Sequence, residues 1–439
     1  MISAGDIVAL TIDKPAAGGR MIARADGLVV LVSGTIPGER VRAKIERVAK
    51  GVAYAAAIDI EEPSSDRRTA GALLCGGCLY AHIVYARQLE LKALVIADAF
   101  ARIGRIALPA SVQVAPSPEE GYRMRARLHV RGRMVGFFRE GTHEICDARQ
   151  TRQLMPATSD ALDRLVAALH SLRRDGNAGE LELAENVDAS QRVVYLDLAT
   201  PVEARSFERL AATDGLTGLA SPGDVHGDVH VTDTIAIDGH PPLALRRHVL
   251  AFFQGNRYLV NQLAAHVVAQ VPSGGDVIDL YAGIGVFAIA AAAMRGAQVK
   301  AVEGDRLAAA DLAANTAATN GAVVPVHQSV EEFVGRAVDA RGIRLPWPER
   351  QRRQPDRDQP GLTIIVDPPR TGISREAFDG IIQLRAPRIV YVSCDVATLA
   401  RDARRLVENG YAVTQIDAFD LFPNTPHVET VVVFQNLRI

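Results

Sequence analysis

What this chain has little of narrows its chemistry. Four cysteines in 439 residues are too few for a disulfide framework, which leaves metal ligation or catalysis as their expected use. Lys and Arg number 49 against 51 Asp and Glu, a formal net charge of −2, so any nucleic-acid site must be a local basic face. The sequence does not open on a basic start followed by an apolar run, and no signal peptide is expected. Long apolar runs are missing too. The longest, residues 277–294, carries Asp279 and two glycines and reads as strand, loop and helix rather than a membrane span. A cytoplasmic protein with no membrane partner is expected, long enough for about two or three domains.

The stretch around which the rest is organised is Val390-Tyr391-Val392-Ser393-Cys394-Asp395. Ile389 to Val392 are β-branched or aromatic and follow Pro387, the pattern of a buried strand. Such a strand delivers Ser393 and Cys394 to the carboxyl edge of a sheet, where open α/β sheets bind ligands. Cys394 is therefore the candidate nucleophile, and the plain alternative is a small core residue.

Residues 1–60 alternate apolar and polar in short runs separated by glycine turns, as expected of a small oligonucleotide-binding (OB-like) β-barrel. The phrase Gly34-Thr35-Ile36-Pro37-Gly38-Glu39-Arg40-Val41 resembles the TRAM domain of RNA-modifying enzymes. Cys75-Gly76-Gly77-Cys78 has a spacing that suits a metal or iron–sulfur site, but two ligands do not close one. From Gln88 to Ile106 apolar residues recur at helical spacing, predicting an amphipathic structural helix. In the run Tyr122 to Arg133, period two puts Arg123, Arg125, Arg127, His129, Arg131 and Arg133 on one face of a strand. That face suits a phosphate backbone, with a solvated, ion-paired face as the alternative. Residues 150–245 carry no chemical motif.

Val277 to Leu280 reads as a strand that runs through Gly283 and Gly285 into an alanine-rich helix. Glycines there let the backbone approach a ligand at the helix N-terminus. The next apolar strand ends at Glu303, a carboxylate able to accept both hydroxyls of a ribose. Asp279-Leu280-Tyr281-Ala282-Gly283-Ile284-Gly285 followed by Glu303 resembles the S-adenosylmethionine site of class I methyltransferases. Farther on, Ile364-Ile365-Val366 ends in Asp367-Pro368-Pro369-Arg370-Thr371-Gly372, where the prolines fix a loop that orients Asp367. An arginine after the double proline, in place of an aromatic residue, disfavours methylation of a planar nitrogen.

Together with Phe252-Phe253-Gln254-Gly255-Asn256 and the terminal Phe422 to Glu429 loop, these motifs resemble the RNA uracil-5-methyltransferase family over nearly the whole chain. The resemblance implies an α/β fold in three parts: an N-terminal TRAM-like barrel at 1–60, a central α+β domain at 61–250, and a class I (Rossmann-like) catalytic domain at 251–439. It implies that Gln254, Tyr281, Gly283, Glu303 and Asp367 bind S-adenosylmethionine, that Cys394 is the nucleophile and that Glu429 is the general base. Phe252 would stack on a flipped base, and Arg123, Arg125, Arg127 and Arg370 would contact structured RNA, ribosomal rather than transfer RNA, with a monomeric enzyme.

Two departures stand out. Where the family's iron–sulfur members carry a first and a fourth cysteine, this chain has Thr69 and, near the fourth, Thr151, with Cys146 a few residues early. Cys75 and Cys78 are thus expected to be the remnant of a lost or altered cluster. The arginine- and proline-rich stretch Leu345 to Pro360 is expected to be an inserted surface loop. The activator of Cys394 is left open. Competing readings are a cytosine-5 methyltransferase, disfavoured by Glu429 and Arg370, an RNA-binding factor without turnover, and a redox or metal protein built on Cys75 and Cys78.

Overall fold

Alternating burial builds the first unit. In strand Arg40–Ala49, Val41, Ala43 and Ile45 point inward while Arg40, Arg42 and Lys44 face solvent. Six strands, Ile7–Thr11, Lys14–Pro15, Met21–Ala25, Leu28–Ser33, Arg40–Ala49 and Val52–Glu62, form one sheet that closes around this apolar set. The computed structural model describes residues 2–69, 75–172, 178–200, 202–339, 342–343 and 361–438. The expected inserted loop, Leu345 to Pro360, lies outside the described residues.

The catalytic unit is an eight-stranded sheet in the order Val323–His327, Gln298–Glu303, Asp276–Leu280, Thr363–Val366, Arg388–Ser393, Glu429–Asn436, Tyr411–Phe419, Val114–Ala115. The first five are parallel, and Glu429–Asn436 runs antiparallel to both its neighbours. Strand Thr363–Val366 is buried at every position because cores lie on both faces. Val277, Ile365, Val390 and Val431 point into one core; Ile278, Ile364, Tyr391 and Val432 point into the other. A parallel sheet with both faces covered places its strand ends, and whatever they carry, along one exposed edge.

The segment 61–250 divides differently from the expectation of one central domain. The predicted helix runs over Tyr85–Ala99 and continues as a π-turn, Phe100–Gly104. Its Leu91 enters the barrel core, while Ile96, Ala99 and Phe100 enter the core of the catalytic sheet. With strand Val114–Ala115 it belongs to the catalytic unit, because these apolar positions match that sheet's uncovered edge. Most of the rest forms a seven-stranded sheet with Ile145–Asp147 at one edge and Asp224–Gly227 at the other, covered by helices Pro156–Leu172 and Ala204–Ala211, while His230–Ile235 and Leu243–His248 pair as a separate hairpin.

The arginine stripe also needs correction. Strand Arg125–Arg131 pairs with Ala178–Glu185, so Arg127 faces Glu182 and His129 faces Glu180. Arg127 Nε lies 2.6 Å from Glu182 Oε1, and Arg125 reaches the same carboxylate at 3.6 Å. The stretch without a motif therefore supplies the counter-charges, and the strand is not an unopposed row of cations. Arg123 stands before the strand, bridged to Asn256.

Cysteine use differs as well. Cys75 and Cys146 form a disulfide with a Cα–Cα distance of 6.0 Å, and Cys78 packs beside them. The hairpin Met134–Phe138 with Ile145–Asp147 carries Cys146 to the Cys75 turn, which hydrogen-bonds through Gly76 N to Phe138 O. Cys146, not the position near Thr151, closes the group; the Thr151 hydroxyl donates to Ala148 O. Thr69 and Thr151 offer no thiolate and two of the three thiols are joined to each other, so these residues do not fit a four-thiolate cluster. Among the described residues no group of three or more His, Cys, Asp or Glu is placed to hold a metal, and no helix is long and apolar enough to cross a membrane.

Candidate active site

The end of strand Asp276–Leu280 turns sharply into helix Val286–Arg295. Three residues take left-handed backbone there: Tyr281 (φ 62°), Gly283 (55°) and Gly285 (98°). Glycine adopts this without cost, and Tyr281 does not. A Cβ at Gly285 would lie 2.7 Å from Leu312 Cδ1, so any side chain there would displace that leucine in addition to straining the left-handed backbone. One strand over, Glu303 accepts hydrogen bonds from Gly283 N (2.8 Å) and Asp305 N (2.7 Å). Each of its oxygens keeps a second lone pair for a ligand hydroxyl.

Across the loop, Gln254 Nε2 donates to Asp367 Oδ2 at 3.0 Å. Burial pushes the Asp367 carboxyl up to about 7, against the Gln254 hydrogen bond and with help from Glu303. Asp279, fully buried beneath the loop, is held well above the carboxylate range by its burial and by Asp367. Among the described residues no ion pair neutralises Asp367, Glu303 or Asp279. A cleft of uncompensated acids beside a helix N-terminus fits a ligand with a ribose at one part and positive charge at another. S-adenosylmethionine, with its sulfonium and ammonium groups, has that form.

The sign of the Asp367 shift yields a prediction. Because its folded pKa lies above the unfolded value, its contribution to stability is fully present below about pH 4 and is lost as pH rises through about 7. Asp367→Asn is expected to raise the donor-free Tm at pH 8 by about 1–3 °C, with less gain at pH 5, and to weaken donor binding. A lower Tm at pH 8 in calorimetry would contradict this.

Strand Arg388–Ser393 delivers the thiol. Ser393 pairs with Thr430, so Cys394 and Glu429, one residue farther at the same end of the two strands, come together at the sheet edge. The Asp395 side chain accepts from Thr398 N at 2.8 Å and caps helix Val396–Glu408, fixing the turn that holds Cys394. Burial pushes the thiol up to about 12; Glu429 and Asp367 add to the shift, and Arg370 opposes it. Arg370 is thus the cation that faces the thiol. It was expected to contact RNA, and its signal as thiol partner is its place directly after the double proline. Glu429, 2% exposed, is raised well above the carboxylate range by burial and by Asp367, again opposed by Arg370.

The loop that carries Glu429 is held from a helix 330 residues earlier. Gln88 exchanges hydrogen bonds with Asn424, and Lys92 Nζ reaches Asp420 Oδ1 at 2.5 Å and Phe422 O at 3.2 Å. Sequence reasoning passed over both residues. Their signal was present: two polar residues four apart on the face that an amphipathic helix should bury.

Gln254, Tyr281, Glu303, Asp367, Cys394 and Glu429 line one cavity of about 660 Å³. Of the expected site residues, every one except Arg127 borders it, including Arg123, Arg125, Phe252 and Gly283. Phe252 is 57% exposed, not core, and the Arg125 guanidinium stands 5.9 Å from its ring centre. A doubly covered parallel sheet with such a cleft at its carboxyl edge is the architecture of the class I, S-adenosylmethionine-dependent methyltransferases.

Comparison with known proteins narrows the class. The family described as tRNA (uracil-5-)-methyltransferase matches residues 226–437, and the TRAM domain matches residues 4–58. The 23S rRNA (uracil(1939)-C(5))-methyltransferase RlmD of Alkalilimnicola ehrlichii is 32% identical over 95% of this chain and 94% of that one. The protein of the same name from Halomonas elongata is 31% identical over 97% of this chain and 89% of its own. The crystal structure of the Pyrococcus abyssi tRNA (uracil-54, C5)-methyltransferase with S-adenosyl-L-homocysteine superposes with a TM-score of 0.70 at 24% identity, covering 97% of this chain and 100% of that one. The chain belongs to the RNA uracil-5-methyltransferase family, enzymes that methylate carbon 5 of uridine in RNA.

Proposed function

We propose that this enzyme methylates a uridine of large-subunit ribosomal RNA through a covalent adduct on Cys394, with Glu429 as the base. The observation that carries the chemistry is the meeting of Cys394 and Glu429 at one end of paired strands, in the cavity that also holds Asp367 and Glu303. Support for ribosomal RNA comes from the two relatives named for it, which align over nearly their full length.

Carbon 5 of uracil is a poor nucleophile in an electron-deficient ring. The Cys394 thiolate adds to carbon 6, and the electron pair moves on to make carbon 5 an enolate carbon. S-adenosylmethionine, when bound, supplies a methyl group on positively charged sulfur. Gln254, Glu303 and Asp367 would hold it, and carbon 5 takes the methyl. In its ionised form, which the Arg370 guanidinium favours against burial, Glu429 then removes the carbon 5 proton, and the released pair re-forms the ring double bond as the thiolate leaves. Arg370 stabilises the thiolate at both ends of this sequence.

The target base must leave its stack at a cost of a few kcal/mol, and stacking on an aromatic side chain returns about 1–3 kcal/mol. The exposed ring of Phe252 is the platform. Phe252→Ala is expected to raise the KM for RNA about tenfold or more while leaving donor affinity alone; an unchanged RNA KM would remove it from this role.

The reading as a whole is tested by incubating the protein with labelled methyl donor and transcripts of either large-subunit ribosomal RNA or transfer RNA, then digesting to nucleosides. Label in 5-methyluridine from the ribosomal transcript supports it. Label only in transfer RNA transfers the assignment to that substrate. Donor binding without methyl transfer to either would favour an RNA-binding factor with a methyltransferase fold.

A further inference from the structure

One buried side chain, Gln153, connects the cysteine turn to the RNA end of the cavity, and neither the chemistry above nor the family motifs use it. It is fully buried. Its Nε2 donates to Gly77 O at 2.6 Å, inside the Cys75–Cys78 turn. Its Oε1 accepts from Arg123 Nε at 2.6 Å, and the Tyr122 hydroxyl lies 3.0 Å from the same oxygen. Its main-chain carbonyl accepts from Arg123 N at 2.9 Å. Arg123 is therefore held at its backbone and at its guanidinium by one residue.

The turn is shaped for this contact. A Cβ at Gly77 would stand 2.4 Å from Gln153 Nε2, so only glycine lets the amide reach the carbonyl. The guanidinium of Arg123 sits among the rings of Phe137, Phe422 and Tyr122, with its centre 5.5–5.8 Å from theirs. Among the described residues its hydrogen bond goes through Nε, leaving the two terminal nitrogens for a ligand in the cavity it borders with Cys394 and Glu429. A planar fork fixed at its inner edge and open at its outer edge is preorganised for an anionic oxygen.

We propose that Gln153 is a positioning residue for RNA: it locks Arg123 so that the guanidinium's outer edge meets a phosphate oxygen at the target nucleotide. The inference rests on the reading of Arg123 as an RNA contact. It also gives the cysteine turn a use that requires no metal, as the anchor for the amide that aims Arg123.

The test is a double-mutant cycle on RNA KM, with donor KM and kcat recorded alongside, at a temperature where every variant is folded. Gln153→Met keeps the volume and loses all three side-chain hydrogen bonds, of which only the one from Arg123 involves a charged group; it is expected to raise RNA KM about tenfold, the scale of one hydrogen bond to a charged group, without moving donor KM. In an Arg123→Ala background the same change is expected to cost less than about twofold, because its target is gone. Gln153→Glu keeps an acceptor for Arg123 and is expected to hold RNA KM within about threefold of wild type. It also decides the matter if the Met variant does not fold. Additive losses, or equal losses in donor and RNA KM, would reduce Gln153 to a packing residue and overturn the proposal. An Arg123→Ala enzyme with wild-type RNA KM would instead refute the RNA-contact reading on which it stands.

Discussion

Cys394→Ala is expected to lower kcat for methyl transfer on the order of 10⁴-fold or more, since without the thiol nothing raises electron density at carbon 5. Donor affinity should not change, because the groups around Glu303 and Asp367 are untouched. RNA containing 5-fluorouridine gives the second readout: fluorine at carbon 5 cannot leave as a proton, so the wild-type enzyme should stall as a methylated adduct that survives a denaturing gel. The alanine variant should form none. The pH dependence follows from the same group. A thiol pushed up to about 12 is almost wholly protonated at neutral pH, so the single-turnover rate should climb with pH between about 7 and 9 and show no acid-side plateau. Arg370 opposes the shift, and Arg370→Gln should lower the rate at every pH in that window without changing its slope. Turnover by the alanine variant within about tenfold of wild type would rule out the covalent route.

Glu429→Gln should fail at a different step. Addition of the thiol and transfer of the methyl do not need the base, whereas release of the carbon 5 proton does. The expected loss in kcat is about 10²–10⁴-fold, with methyl transfer in a single turnover far less affected and the methylated protein–RNA adduct accumulating on ordinary uridine RNA. Stability should be kept, because burial already favours the uncharged form of Glu429, and an amide of the same shape carries no charge to bury. If methyl transfer in the first turnover falls as steeply as overall turnover, Glu429 acts earlier than proton removal, and the assignment of the base must move elsewhere.

The contrast between what could and could not be read from the sequence has a physical source. Local features were legible: the alternation of Arg40–Ala49, the β-branched run before Cys394, the glycines after Leu280 and the double proline after Asp367 each encode a backbone state within a few residues. What depended on distant partners was not. Sequence alone could not choose between a phosphate-binding and an ion-paired arginine stripe, because Glu180 and Glu182, its counter-charges, sit more than 50 residues away in a strand whose pairing no local pattern announces. Helix Tyr85–Ala99 was recognisable as a helix, but which cores its two ends enter depends on where the barrel and the catalytic sheet meet. Cys75 and Cys146 share a bond across 71 residues. The thiol's cation was in plain view as Arg370, yet its pairing with Cys394 needed two strand ends to be placed side by side.

Strand Glu429–Asn436 lies between Arg388–Ser393 and Tyr411–Phe419, both of which precede it in the chain. In chain order those two strands are made first, and the edges they turn towards each other are paired only by the later strand. The sheet becomes continuous only when Glu429–Asn436 inserts between them, a non-local pairing of the kind that forms slowly. The same insertion brings Glu429 to Cys394. A chain made only as far as Phe419 would therefore carry the Cys394 thiol without the carboxylate proposed as its base.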